Sequence, residues 1–240
     1  MFQPIIDLRH GRAVGAEALV RWRHPRRGPL GPAEFHRDRR DAGQILTLGR
    51  WVLSRACHQL ASWRACGAGV LRVNVNVSAL QLADPGLVDT VVEATARADV
   101  PPAAFTLELT ESALMADTTH TLSVLRQLAE LGVHLAVDDF GTGFSSLSYL
   151  RRFPVHQLKV DRSFIGRLGG EAADTAMVAA ICELGRALGL EVVAEGVEHE
   201  AQRSVLLELD CRLAQGYWIS RPIDADAFRA AATALEARLR

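Results

Sequence analysis

Two aspartates stand side by side in residues 133–145, VHLAVDDFGTGFS, where an apolar run ends in Asp138 and Asp139 and two glycines follow within four residues. Adjacent ionised carboxylates repel, so a cation is their natural partner. Other acids recur in the same setting, at or just past the end of an apolar run: Glu17 in EALVR, Glu108 and Glu111 in LELTE, Asp161 in LKVD, and Glu195 and Glu198 in VVAEGVE. Asn76, Gln215, Lys159 and Arg21 stand among them. A cluster of eight such carboxylates cannot stay fully ionised without cations. Oxygen ligands without His or Cys favour the hard ions Mg²⁺ or Mn²⁺, and the set exceeds what one Mg²⁺ needs. Two ions roughly 3.5–4 Å apart, sharing a bridging carboxylate and activating water for in-line attack on phosphorus, fit it best.

For that chemistry the acids must converge. Apolar runs near 3–8, 14–20, 71–77, 105–109, 133–138, 156–160, 191–195 and 212–217 read as eight strands. Between most of them lie stretches with helical periodicity, at 46–64, 86–98, 117–131, 174–189 and 224–239. Alternating strands and helices imply a mainly parallel sheet, and eight units imply a closed (β/α)8 TIM-like barrel in one domain spanning 1–240. An open doubly wound sheet competes, but the glycine-rich phosphate turn expected after its first strand is missing. Side chains alternate across a strand, so the valines of VNVNV face the helices and Asn74 and Asn76 the lumen. The same rule turns Glu108, Asp138, Lys159 and Asp161 inward and puts Glu17 and Arg21 on one face, with Glu195 and Gln215 closing their strands. Glu111, Asp139 and Glu198 follow in the loops. All lie at the C-terminal ends of the strands, where barrels of this kind build their active sites.

A lone strand-end acid is more often a helix N-cap or a surface ion pair, and Glu-Ala-Leu by itself reads as ordinary helix. A whole set on one rim is different. Asn74 reads as a satisfied lumen amide outside the site, His24 as structural, and Trp51 and Trp63 as core. The glycines of GTGFSS make a mobile loop that closes over the site. A formal net charge of −1 excludes a basic field for binding nucleic acid polymers. No apolar run reaches the roughly 18 residues of a membrane span. Cys57, Cys66, Cys182 and Cys211 show no metal-ligand spacing and read as reduced and mostly structural, which with the missing signal peptide points to the cytoplasm.

The segments EALVRWRHP, VNVSALQL, LELTES, VDDFGTGFSSLSYL, LKVDRSFI, VVAEGVE and QGYWISRP, in this order, resemble the EAL domain of bacterial cyclic-di-GMP phosphodiesterases. The resemblance implies a barrel with one atypical antiparallel strand, two Mg²⁺ or Mn²⁺ ions, and hydrolysis of cyclic di-GMP to linear pGpG in second-messenger signalling. It implies metal ligation by Glu17, Asn76, Glu108, Asp138, Asp139 and Glu195. Lys159 would hold the catalytic water, Glu195 would act as or orient the base, and Gln215 would stand alongside. Glu111 would hold the loop that begins at Asp139, and Gln3 and Arg21 would contact the substrate, with Asp161 beside them. Dimerisation is implied as well, with that loop coupling the interface to the metals. The alternative is a cyclic-di-GMP receptor without catalysis, but no metal ligand of the motif set is missing. An unrelated Mg²⁺ barrel enzyme acting on an enolisable acid would leave the motif series unexplained. Two departures from the family pattern stand out. The chain starts at FQPI, so its first strand is short. In 34–45, EFHRDRRDAGQI, the charged HRDRR replaces apolar residues that would dock that helix.

Overall fold

The turn between the first two strands has four residues, too few for a crossover helix, so β1 (Phe2–Asp7) and β2 (Arg12–Ala18) pair antiparallel. Asp7 Oδ1 accepts the N–H groups of Arg9 and His10, and Gly11 closes the turn at a φ of 64°. The computed structural model describes residues 1–31, 42–67, 72–115, 118–143, 150–170 and 172–239. HRDRR and the last part of GTGFSS lie outside the described residues.

A hairpin of β3 (Trp22–His24) and β4 (Gly28–Leu30), which the periodicity does not announce, follows β2. His24 has the structural role expected of it, since its Nδ1 accepts the N–H groups of Arg26 and Arg27 in the hairpin turn. The remaining strands are β5 (Arg72–Asn76), β6 (Phe105–Thr110), β7 (His134–Phe140), β8 (Gln157–Val160), β9 (Glu191–Ala194) and β10 (Leu213–Ala214). The order β1-β10-β9-β8-β7-β6-β5-β2 closes the expected eight-stranded barrel. Among the described residues β1 alone runs against both of its neighbours. Its first residues therefore lie at the same end as the last residues of the other seven strands, and Gln3, paired with Glu17, reaches that rim from β1.

Around the barrel lie α1 (Ala42–Ala65), α2 (Ala79–Leu82), α3 (Leu87–Ala98), α4 (Glu111–Met115), α5 (Thr118–Glu130), α6 (Arg162–Ile165), α7 (Ala172–Leu188), α8 (Glu200–Glu208) and α9 (Ala225–Leu239). Alternation holds where it was expected: Val73, Val75, Leu107, Leu109, Leu135, Val137, Leu158 and Val160 are all buried in the core. Each contributes on the order of 1.5–3 kcal/mol by leaving water. Helix α1 presents Leu53, Ala56, Cys57, Leu60 and Trp63 to the core. Trp63 stacks on Phe228 of α9 at 4.3 Å and meets Phe2 edge-on at 4.8 Å. Trp51 corrects the sequence reading: it is 56% exposed, because it falls between successive turns of that stripe. Helix α8 has few apolar residues to show a period, and is held instead by Gln202. That buried amide accepts the N–H groups of Glu198 and His199 and donates to Ile165 C=O. No helix among the described residues is long and apolar enough to cross a membrane.

Candidate active site

At the C-terminal end of the barrel Lys159, 1% exposed, stands among four carboxylates. Its Nζ lies 2.5 Å from Glu195 Oε1, 2.8 Å from Glu108 Oε2, 3.1 Å from Asp138 Oδ1 and 3.6 Å from Glu17 Oε2. Each acid stands on, or one residue past, a different strand, so only barrel closure brings them together. Amides fix their orientation. Asn76 donates to Glu17 Oε1 at 2.7 Å, and Gln215 donates both to Glu17 Oε2 at 2.6 Å and to Glu195 Oε1 at 3.0 Å. Asn74, set outside the site on sequence grounds, donates to Glu108 Oε1 at 2.7 Å and so orients an acid of the cluster. Alternation had already put it in the lumen, and its neighbour across the strands is what that rule could not supply. Glu195 and Gln215 lie one residue beyond their strands and are held there by backbone bonds, Glu195 N–H to Val160 C=O and Gln215 N–H to Ala194 C=O.

Asp139 corrects the reading in a second place. It lies within β7, not in the following loop, and alternation alone would turn its side chain away from Asp138. Between Val137, opposite Leu158, and Phe140, opposite Val160, β7 carries one residue more than β8, and Asp139 takes a φ of 53°. This bulge in the left-handed region re-aims the second aspartate. Carboxylate oxygens of Asp138, Asp139 and Glu195 then lie within 4.8 Å of one another, a spacing that could hold a metal ion.

The electrostatics are unbalanced in the way a cation site requires. Burial pushes the Glu108 carboxyl well above the usual carboxylate range against the pull of Lys159, and Glu17, Asp138 and Glu195 push it further. Glu195 is raised to about 8 by burial and its acidic neighbours, again against Lys159. Burial raises Asp139 too, with Asp138 and Asp161 adding to the effect. In Glu17 burial is outweighed by Lys159 and the Gln215 and Asn76 amides, so its carboxyl stays below the ordinary value. Burial lowers the Lys159 ammonium, but the four carboxylates outweigh it and hold the pKa well above normal. Glu108 Oε2, Asp138 Oδ1 and Gln215 Oε1 are buried without an aligned hydrogen bond, although Nζ approaches the first two. One ammonium does not saturate these acids. Hard, oxygen-seeking cations fit the donor set, which is carboxylates and amides with no sulfur or imidazole among them.

Other candidates lie further out. Glu111 is buried at the first position of α4 beside Gly143, where an added Cβ would sit 3.2 Å from its carboxylate. Gln3 is buried and donates to Ser220 C=O at 3.0 Å. Asp161 caps α6 through Ser163 N–H at 2.9 Å, the N-cap role of an isolated strand-end acid, and lies in contact with Asp139. Glu198 is exposed, its backbone N–H donating to Gln202. Arg21 lies three residues past the end of β2, so strand alternation does not relate it to Glu17. Its guanidinium donates to Val20 C=O at 2.8 Å and borders a cavity of about 240 Å³ shared with Trp51 and Arg55.

Comparison with known proteins agrees with this geometry. The EAL domain profile matches residues 1–222. MucR of Pseudomonas aeruginosa, a bifunctional diguanylate cyclase/cyclic di-GMP phosphodiesterase, is 44% identical over 225 residues, covering 94% of this chain and 33% of MucR. NbdA, a cyclic di-GMP phosphodiesterase of the same organism, is 47% identical over 222 residues, covering 92% of this chain and 28% of NbdA. The chain thus spans about a third or less of these relatives' lengths. The structure of the PaMucR phosphodiesterase in complex with c-di-GMP superposes with a TM-score of 0.90 at 44% identity, covering 95% of this chain and 92% of that one. With the profile spanning nearly the whole chain and the motif acids gathered at one barrel mouth, this protein belongs to the EAL domain family.

Proposed function

We propose that this chain hydrolyses cyclic di-GMP to linear pGpG with two Mg²⁺ or Mn²⁺ ions. The observation that carries the reading is the meeting of Glu17, Glu108, Asp138 and Glu195 around buried Lys159, with Asp139 turned onto the same site by the β7 bulge. Glu17, Asn76, Glu108, Asp138, Asp139 and Glu195 would hold the ions, which would lower the pKa of bound water and offset charge on the phosphoryl oxygens. Lys159, kept protonated by its neighbours, acts as a hydrogen-bond donor that positions the attacking water. Glu195, with its proton affinity raised toward neutrality, suits receipt of the water proton, and Gln215 holds that carboxylate in line. Gln3, Arg21 and Asp161 are the residues assigned to substrate, and the nearness of Glu111 to Gly143 supports its holding the loop that starts after Asp139.

The family resemblance also supports a homodimer in the cytoplasm, which sedimentation of the purified chain and cell fractionation would check. The deciding experiment is incubation with cyclic di-GMP and Mg²⁺ or Mn²⁺, with the products separated by chromatography. Linear pGpG is expected with either ion and its formation stops with chelator. Ca²⁺, larger and more loosely coordinated, would support binding but stall hydrolysis. Tight binding with no pGpG under all these conditions would make the chain a receptor instead.

A further inference from the structure

Two cysteines that the sequence sets far apart meet in the fold. Cys182, on the buried stripe of α7, and Cys211, just before β10, stand side by side on the wall of one cavity, and both are free thiols. They are 7% and 2% exposed, yet both line a cavity of about 580 Å³. The cavity sits at the N-terminal end of the barrel, bordered by Gly15, Arg72, Thr106, Gln157 and Glu191 near the starts of their strands. The Cys211 thiol points at the C=O groups of Val192 and Leu213, 3.8 and 3.7 Å away. One helical turn after Cys182 on α7, Arg186 lines the same cavity.

These contacts give the two sulfurs different chemistry. Cys211 and, more weakly, Arg186 hold the Cys182 thiol below the ordinary thiol range despite burial, while the shared contact and burial push Cys211 well above it. Cys57 has no such environment, and burial raises it to about 12.

We propose that Cys182 and Cys211 are a peroxide-responsive dithiol that closes a disulfide at the end of the barrel opposite the carboxylate cluster. The Cys182 thiol gives up its proton and the thiolate attacks one oxygen of a hydrogen peroxide molecule admitted by the cavity; the O–O bond breaks, the leaving hydroxide takes up that proton as water and a sulfenic acid remains. Cys211 then attacks that sulfur, its proton and the sulfenic hydroxyl leave as water, and the S–S bond forms. Two thiols are oxidised and one peroxide is reduced to two waters. The bond would tie α7 to the start of β10 and remove the thiol donor from the Val192 and Leu213 carbonyls. Those carbonyls belong to β9 and β10, the strands that lead into Glu195 and Gln215. Oxidation therefore disturbs the Gln215 to Glu195 hydrogen bond from below, a consequence that rests on the phosphodiesterase reading.

The test uses the whole chain in a Cys66→Ser background, because Cys66 is exposed and would react on its own. Protein treated with hydrogen peroxide is examined by intact mass and by peptide mapping. The expected result is a loss of two hydrogens, one linked peptide pair joining Cys182 to Cys211, and reversal by dithiothreitol. In Cys211→Ser the reaction stops at a dimedone-trappable sulfenic acid on Cys182. Absence of the linked pair, or oxidation falling equally on Cys57, overturns the proposal. Turnover of cyclic di-GMP is followed in the same samples and is expected to fall by about threefold or more on oxidation and to recover with reductant. A formed disulfide with unchanged turnover overturns the coupling. Reduced protein that makes no pGpG refutes the phosphodiesterase reading and leaves the result on the linked peptides standing.

Discussion

Replacing Lys159 with Met keeps the length of the side chain and removes its charge, leaving Glu17, Glu108, Asp138 and Glu195 facing one another with no ammonium between them. Breaking a buried ion pair by removing one partner costs about 3–5 kcal/mol. For a chain of this size each kcal/mol lowers the unfolding midpoint by about 2–4 °C, so a drop of about 6–20 °C is expected. The cost should depend on pH, and the sign follows from the acids. Glu195 and Glu108 have raised folded-state pKa values, so the native state binds more protons than the unfolded chain; their contribution is fully present below the unfolded value of 4.5 and is lost as pH rises, for Glu195 through about 8. Without Lys159 both acids rise further, since its pull is gone. The Lys159→Met deficit is therefore smaller at about pH 5.5, where Glu108 and Glu195 are protonated, and larger at about pH 8.5. Thermal unfolding in chelator, read by circular dichroism at both pH values, measures it. A deficit that is the same at the two pH values, or absent at the higher one, would refute the claim that this ammonium holds the cluster together.

In Asp138→Asn and Asp139→Asn turnover should fall about 10²-fold or more while cyclic di-GMP affinity changes much less, because the charge removed offsets the cations rather than gripping the ligand. Steady-state kinetics beside calorimetric binding at saturating Mg²⁺ separate the two, and equal losses in both would mean that the pair shapes the pocket. Glu111→Ala, which empties the position beside Gly143, should raise the Mg²⁺ concentration needed for half-maximal activity, and a variant with wild-type metal dependence would remove Glu111 from loop positioning. At the other end of the barrel the rings of His134 and His156 lie 4.7 Å apart, and burial, with Arg72 nearby, lowers both pKa values below 6.5. They favour the neutral form, so their contribution is present above the unfolded value of 6.5 and is lost as pH falls. Urea unfolding of the wild type and His134→Gln between about pH 7 and 5 should show a shallower acid-side loss in the variant.

The barrel and most of its acid cluster can be read from period-two alternation and from where the apolar runs stop, because both are local properties of the chain. VNVNV, LEL and LKV each place their polar residue on the lumen face whatever lies across from them. The antiparallel pairing of β1 with β2, implied by the family resemblance alone, has its physical reason in a connection of four residues, too short for a crossover helix. What depends on partners distant in sequence was not legible. The position of Asp139 is set by one extra residue of β7 measured against β8, and a bulge exists only relative to the neighbouring strand. Arg21 leaves the alternation because β2 stops at Ala18, its last pairings being with Phe2 and Val75. Asn74 acquires its role from Glu108 on the adjoining strand, and Trp51 loses its place in the core to the phase of α1 against the barrel. Spacing along the chain says which residues share a face. Proton affinities, hydrogen-bond partners and the meeting of Cys182 with Cys211 follow from distances between strands and helices, which are settled when the barrel closes.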